Sequence, residues 1–567
     1  MVRTILFLFF MLSFLVDQAQ ESYKVSHRLH KQMYSEHQLI AVNIQKSMVK
    51  LLNGGTLELE GERIFSPNVL PEFYTQRGFV PAWASYKAIE DVIKALHDSW
   101  EDGLNQEDYH GSGIRKLLKK IDNGLSEKRV DPVWVAEFDI LVTDAVLLYA
   151  YHLLEGKVDP ETLDPNWNYD YKGIMEDAPY QLEKAIESAN VSVELQQLRP
   201  QNVTYKATRE LLINYTQLKE KGGWPAVLEG ETIHEGENDE RIVQIKKRLA
   251  RTGELYLSTD LESMVYDSLL VADVKRFQNR NGLKPDGVIG KGTIGAMNIS
   301  VDERINTLRV NLERNRWIDS DLTEDYIIVN IAGFKAYYFE NHKLRHSTNV
   351  MVGKERTRTP VFKDRLRYIE FNPTWTVPTS IIGNTIIPKM KKDPDYILKN
   401  NFELIDRSGK VVPQSQIDAS ELSLRNFAYT VRQKPGADNA LGEVKFIFPN
   451  KHSVYLHDTP SKSLFEREKR AFSHGCIRTQ YPLDLAEILL NDTEWTREKI
   501  DSVIQTRETV RAYPEKDIDV LIMYWTAGYY EGEGIGFFRD VYDRDAKVLE
   551  QLDKTEINSL PRIKAGN

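Results

Sequence analysis

The spacing of apolar residues changes once along this 567-residue chain, and that change limits what it can fold into. Up to about Gly223 the apolar positions recur at three and four residues, as at Ile89, Val92, Ile93 and Leu96, which predicts amphipathic helix. From Tyr326 to Ala332 the period is two, and β-rich segments follow at Ala336–Phe339, Thr348–Val352, Val444–Phe448 and Val454–Leu456. Glu340-Asn341-His342-Lys343 reads as a hairpin turn, and the apolar run within Val520–Thr526 as a late strand of the same sheet. Helices followed by a sheet predict an α+β chain. Its length exceeds the size at which one hydrophobic core keeps growing, so two to four domains are expected.

The predicted segments are 1–19, an export signal or anchor; 36–235, a helical scaffold region; and 238–300, a compact three-helix module. A charged helical connector at 301–325 follows, then a mostly β domain at 326–510 and an extension at 511–567 packing on it. An insertion at 372–439, with Pro373, Pro378, Pro388, Pro394 and Pro435 among short amphipathic pieces, reads as a lid or capping element. In the module, Ile242, Ile245 and Leu249 line one helix and Val271, Val274 and Phe277 a second, with a short third helix near Thr293–Met297. Asn281-Gly282 supplies a left-handed stop after the second helix.

Arg3 followed by the apolar run Ile5–Val16, broken only by Ser13, predicts export. Ala19 suits the end of a cleaved signal, whereas Asp17 fits the cleavage pattern poorly, so an uncleaved membrane anchor is the alternative. With 84 Asp plus Glu against 74 Lys plus Arg, the net charge of −10 argues against nucleic acid as a partner. Between His342 and Asn400 the balance reverses, twelve basic residues against five acidic, which is either a face for an acidic ligand or a solvated basic surface.

One cysteine in an exported chain cannot form an internal disulfide, so Cys476 is either a small buried apolar side chain or a reactive thiol. Its neighbourhood favours reactivity. Tyr455-Leu456-His457-Asp458 ends an apolar strand, a charged loop follows, and Ser473-His474-Gly475-Cys476-Ile477-Arg478 comes next. A thiol attacks as thiolate and needs a base nearby, a role open to His457 on its rigid strand. Gly475 leaves room for an approaching carbonyl beside backbone N–H groups that suit an oxyanion. Arg478 either anchors a substrate carboxylate or holds the loop, and His474 either supports the site or takes part in it. His452, in a turn after Asn450-Lys451, reads as solvated.

The order His457, then Ser473-His474-Gly475-Cys476-Ile477-Arg478, resembles the signature of L,D-transpeptidase catalytic domains. The likeness continues through Met351-Val352-Gly353-Lys354, Thr357, Thr359-Pro360, Asn372-Pro373, Trp375, Ala440-Leu441-Gly442 and Lys445-Phe446. Val274, Phe277-Gln278, Gly282-Leu283, Asp286-Gly287-Val288-Ile289-Gly290 and Thr293 resemble a peptidoglycan-binding domain, the alternative being a spacer that binds nothing. The whole order resembles the long murein transpeptidases of Gram-negative envelopes. That resemblance implies a periplasmic enzyme that needs no metal or cofactor. Cys476 would attack a tetrapeptide stem, release D-alanine and hold a thioester, with His457 as base. An amine of a neighbouring stem would then resolve the thioester into a 3→3 crosslink. The same likeness assigns support to Asp458, Ser473, His474 and Gly475 and substrate contact to Tyr455 and Arg478, with peptidoglycan stems as donor and acceptor and wall-synthesis proteins as further partners. The alternatives are hydrolysis of the same thioester, as in an L,D-carboxypeptidase or crosslink-cleaving endopeptidase, and a wall-binding scaffold.

Overall fold

The computed structural model describes residues 37–127, 129–163, 178–188, 190–256, 260–318, 322–529, 534–555 and 560. The signal or anchor expected at 1–19 lies outside them. Among the described residues no helix is long and apolar enough to cross a membrane.

Helices dominate the first half. Helix α1 (His37–Leu52) buries Ile40, Ile44, Met48 and Leu51 against α2 (Pro132–Glu155), which is apolar almost all round and buried along most of its length. Such a helix belongs at the centre of a bundle. Two carboxylates on α2 fix the surrounding loops: Asp139 accepts from the amides of Ala82 and Trp83 at 3.0 and 2.9 Å and from the Tyr74 hydroxyl at 2.7 Å. Asp144 accepts from the amides of Phe65 and Ser66 at 2.8 and 2.7 Å and bonds the buried His110 ring at 2.8 Å. Periodicity marks α2 as oily and cannot show that its acids satisfy loop amides elsewhere in the chain.

Helix α3 (Val203–Glu220) leads to the small module of α4 (Arg241–Arg251), α5 (Ser268–Arg280) and α6 (Lys291–Met297). Ile242, Ile245, Leu249, Val271, Val274 and Phe277 form its core, and Gly282 has a left-handed φ of 64° beyond α5. The buried Gln278 amide donates to Val288 O and Thr293 Oγ1 at 3.0 and 3.1 Å and accepts from Gly287 N at 2.8 Å, joining α5 to the turn before α6.

Helix α7 (Val301–Arg316) starts at a Ser300/Glu303 capping box and packs against α3. The charged connector is helical as expected, and most of its C-terminal half is buried. Arg316, fully buried, pairs with Glu313 and donates to Asp102 O at 2.8 Å and Tyr205 Oη at 3.0 Å.

The second half is built on one eleven-stranded sheet. Its strands are β1 (Asp325–Asn330), β2 (Lys335–Glu340), β3 (Lys343–Gly353), β4 (Phe362–Arg365), β5 (Tyr368–Phe371), β6 (Val444–Ile447), β7 (Leu456–His457), β8 (Ala471–Ser473), β9 (Ile477–Thr479), β10 (Val510–Ala512) and β11 (Ile518–Met523). Their order is β10-β5-β6-β7-β9-β3-β2-β1-β11-β4, with β8 pairing β3. The hairpin between β2 and β3 turns at Asn341 and His342, with left-handed φ values of 50° and 60°, as the sequence predicts. The expected late strand is β11, parallel to β1 and antiparallel to β4. The sheet core includes Val329, Val350, Phe371, Phe446, Leu456, Ile477 and Ile522, covered in part by helix α8 (Pro482–Leu489) through Leu485, Ala486 and Leu489.

The insertion is more ordered than an irregular lid. Residues Trp375–Thr376, Phe402–Ile405, Val411–Val412 and Thr430–Gln433 form a separate four-stranded sheet, over a cluster of Ile382, Ile386, Ile387, Met390, Leu404 and Val431. Its strands are two to four residues long, too short for alternation to register in the sequence.

Candidate active site

Strands β7 and β9 run parallel, with Leu456 opposite Ile477 and His457 opposite Arg478, and the Ile477 amide donates to Tyr455 O at 3.0 Å. On the other side of β7, Lys445 lies opposite His457; Glu370 then lies opposite Lys445, and Arg511 opposite Glu370. Residues directly opposite share a sheet face, so Arg511, Glu370, Lys445, His457 and Arg478 form one polar row across five strands. Tyr455, two residues before His457, points to the same face, and its ring meets the imidazole edge-on at 5.7 Å.

Cys476 occupies the turn between β8 and β9, partly exposed. Its hydrogen-bond acceptor is Ser453 O, 3.6 Å from Sγ, so the thiol faces this carbonyl rather than His457. Burial pushes the thiol pKa up; hydrogen bonding from Tyr455 and the charges of Lys445 and Arg478 work the other way without cancelling it. His457 is buried, and its Nδ1 bonds the carbonyl of Asp458. Burial, reinforced by Arg478 and Lys445, lowers its pKa to about 3, outweighing the Asp458 and Leu441 carbonyls that favour the charged ring. The imidazole is therefore neutral at pH 7, and with Nδ1–H held by Asp458, Nε2 keeps the free lone pair.

Two cations flank the pair without ion-pair partners among the described residues. Arg478 Nε is buried with no acceptor, and burial lowers its pKa. Lys445 places Nζ 4.0 Å from the centre of the Tyr455 ring, while the neighbouring Glu370 pairs with Arg511 at 3.1 Å. The sequence marks Lys445 only as part of a family likeness; its signal was a cation in the otherwise apolar strand Val444–Ile447.

The turn is pinned by its own side chains. Ser473 Oγ donates to Cys476 O at 2.6 Å and accepts from Gly475 N at 3.1 Å. The Gly475 amide is thereby occupied, and so is that of Ile477; no hydrogen bond to the Cys476 amide is present among the described residues. Gly475 has φ 119°, a conformation that favours glycine, and its carbonyl accepts from Thr359 Oγ1 at 2.8 Å. Thr359 is held by Tyr542, whose hydroxyl accepts from Thr359 N at 3.2 Å and donates to Gly353 O at 2.7 Å. Nothing in the sequence around Tyr542 signals this support, because it crosses from the last fifty residues of the sequence to the Cys476 turn.

Asp458 receives Glu443 N at 3.0 Å and pairs with Lys462. A Cβ at Gly442 would lie 2.2 Å from its carboxylate, so the residue in the Ala440-Leu441-Gly442 stretch is glycine for steric reasons, with φ at 61°. His474 is exposed, and partial desolvation with the charges of Lys354 and Arg478 lowers its pKa. His452 is not fully solvated as expected: it is half-buried, its ring 5.3 Å from that of Phe362. Among the described residues no group of three or more His, Cys, Asp or Glu side chains is placed to hold a metal ion.

Residues 324–504 match the family described as "L,D-transpeptidase catalytic domain", 238–297 match "Putative peptidoglycan binding domain", and 68–212 match "Scaffold domain". The chain thus carries a transpeptidase-type catalytic domain behind a wall-binding type of module. A curated protein of Haemophilus influenzae named "Putative L,D-transpeptidase" is 37% identical over 251 residues, covering 44% of this chain and 50% of that protein. The chain spans about half the length of that relative. Domain match and relative agree, and residues 324–504 are similar to L,D-transpeptidase catalytic domains. A solved L,D-transpeptidase of Xylanimonas cellulosilytica overlaps 52% of this chain and 98% of its own at 12% identity, with a TM-score of 0.16, too low to compare the folds.

Proposed function

We propose that this protein joins peptidoglycan stems by 3→3 crosslinks through a thioester on Cys476, outside the cytoplasmic membrane. The observation that supports the reading is the strand pairing of the matched catalytic domain, which sets the neutral His457 opposite Arg478, two residues after the only cysteine of the sequence, with Arg478 and Lys445 lacking ion-pair partners among the described residues. With the thiol pKa raised and the imidazole uncharged, the resting pair is neutral, so proton transfer accompanies attack instead of preceding it. The thiol leaves Ser453 O, turns to His457 Nε2 and adds to the carbonyl of the third stem residue. The oxyanion is met by the Cys476 amide, a donor of a kind typically worth about 3 kcal/mol of barrier. The imidazolium then gives its proton to the departing D-alanine amine. An incoming stem amine attacks the thioester, loses its proton through His457, and restores the thiol. Arg478 and Lys445 suit stem carboxylates near the reacting bond, because a buried unpaired guanidinium gains most from a bidentate oxyanion.

The test is to incubate the purified protein with disaccharide tetrapeptides and separate the products by mass. A dimer linked through two third residues, absent with Cys476→Ala, is the expected result. Tripeptide monomers alone would replace the reading by L,D-carboxypeptidase activity, and unchanged tetrapeptide by a wall-binding scaffold.

A further inference from the structure

A cavity of about 270 Å³ lies where α7, the loop after β3 and the C-terminal segment meet. Cys476, His457, Tyr455, Lys445 and Arg478 do not line it, so it is separate from the thiol site. Four cations line it, Arg314, Arg358, Arg544 and Lys547, against the single acid Asp543. Tyr524 and Tyr542 stack with centres 5.5 Å apart, and three guanidinium groups surround the stack. Arg314 lies 5.0 Å from the Tyr524 ring, Arg544 5.1 and 5.5 Å from the two rings, and Arg358 5.5 Å from Tyr542. Two further carboxylates nearby are already engaged. Asp540 accepts from the Tyr524 hydroxyl and from the amides of Arg544 and Asp545, and Asp545 accepts from Arg314 and Thr526.

Arg314 is the telling residue. It is 4% exposed; Nη1 reaches Asp545 at 2.6 Å and Thr526 at 3.3 Å, while Nη2 is buried without an acceptor. A buried guanidinium N–H left unmade is costly, and converging like charges raise the cost further. An oxyanion in the cavity removes both penalties, since guanidinium forks bind carboxylate and phosphate in paired geometry.

We propose that this cavity binds a phosphate or carboxylate group, and that its occupancy is felt at the nucleophile turn. The link is short. The Arg358 carbonyl is the nearest atom to the space beside the Gly475 α-carbon, at 3.9 Å from a Cβ built there. The next residue, Thr359, bonds the Gly475 carbonyl and is clamped by Tyr542, one of the two stacked rings. An anion drawing Arg358 and Arg544 together over Tyr542 therefore loads the loop that supports Cys476.

Calorimetric titration of the full-length protein with inorganic phosphate, and separately with acetyl-D-alanine, at ionic strength held constant with chloride, tests the site. One-site saturable binding of either probe is expected, and the tighter one identifies the source as a phosphate ester or a peptide carboxylate. Arg544→Gln/Lys547→Gln should weaken it at least tenfold while leaving the ligand-free melting temperature unchanged; Lys547→Glu alone serves if the double variant unfolds. No saturable heat with either probe, or equal affinity in the variant, overturns the site. Because Cys476 is the only thiol, its alkylation rate by iodoacetamide reads the coupling. At saturating probe the rate should change at least twofold in the parent and not in the variant; a constant rate in the parent removes the link to the turn. Neither readout needs transpeptidation, so failure here and failure of the crosslinking reading are distinguishable.

Discussion

The environments of Cys476 and His457 shift both groups towards their neutral forms, one by raising a thiol and the other by lowering an imidazole. The sign sets a pH dependence. Since thiolate appears only above the raised thiol value, the rate of iodoacetamide alkylation should climb with pH and show its midpoint above the ordinary thiol range of about 8.5. A midpoint near 7 would mean an ion pair is already formed. At Gly442, Gly442→Ala must place a methyl against the Asp458 carboxylate in a left-handed conformation, which alone costs at least about 1 kcal/mol. Urea denaturation should show that loss, and alkylation by an acyl-type electrophile should slow as His457 loses its carbonyl anchor. Unchanged stability would show that the backbone can yield there.

At the scale of elements, the Cys476 turn is held by hydroxyls: Ser473 within it, Thr359 beneath it and Tyr542 from the C-terminal segment. Ser473→Ala removes the partners of Gly475 N and Cys476 O at once, and each buried polar group left unmade costs about 1–3 kcal/mol. A fall in midpoint denaturant together with a slower acylation is expected; acylation at the parental rate would mean the turn keeps its shape without the hydroxyl. Helices with a single apolar stripe and the hairpin at Asn341-His342 are legible in the sequence, because each depends on neighbours within four residues. The ordered insertion and the burial of α7 are not, since their strands are very short or their charges find partners a hundred residues or more away. Within the site, the sequence picks out Cys476, His457 and Arg478 by their spacing and the strand before them. It does not reveal that the Gly475 amide is already used, that Lys445 faces the imidazole, or that Tyr542 supports the turn.

On the scale of the whole molecule, the helical half depends on polar struts inside an apolar bundle. Although burial opposes it, hydrogen bonds and charges from Asp144 and Glu62 push His110 up to about 9 from 6.5. The folded state thus binds the proton more tightly than the unfolded chain. The stabilisation, on the order of 3 kcal/mol, is fully present below pH 6.5 and is lost as pH rises through 9. Denaturation followed from pH 6 to 10 should show this loss in the parent and a flatter profile in His110→Gln; parallel profiles would remove the histidine from the account.

By itself the sequence determined the succession of helix and sheet, the three-helix module and the grouping of residues around Cys476, because these rest on local periodicity and on residues close together along the chain. Tertiary structure alone decided that the His457 ring is uncharged. Lys445, His457 and Arg478 become neighbours only when β6, β7 and β9 lie side by side, and burial there keeps the His457 ring neutral. The same holds for the cation-lined cavity, whose Arg314, Arg358 and Arg544 come from three separate stretches of chain. Electrostatic energy depends on distance through space and on exclusion of water, and neither is written in residue order.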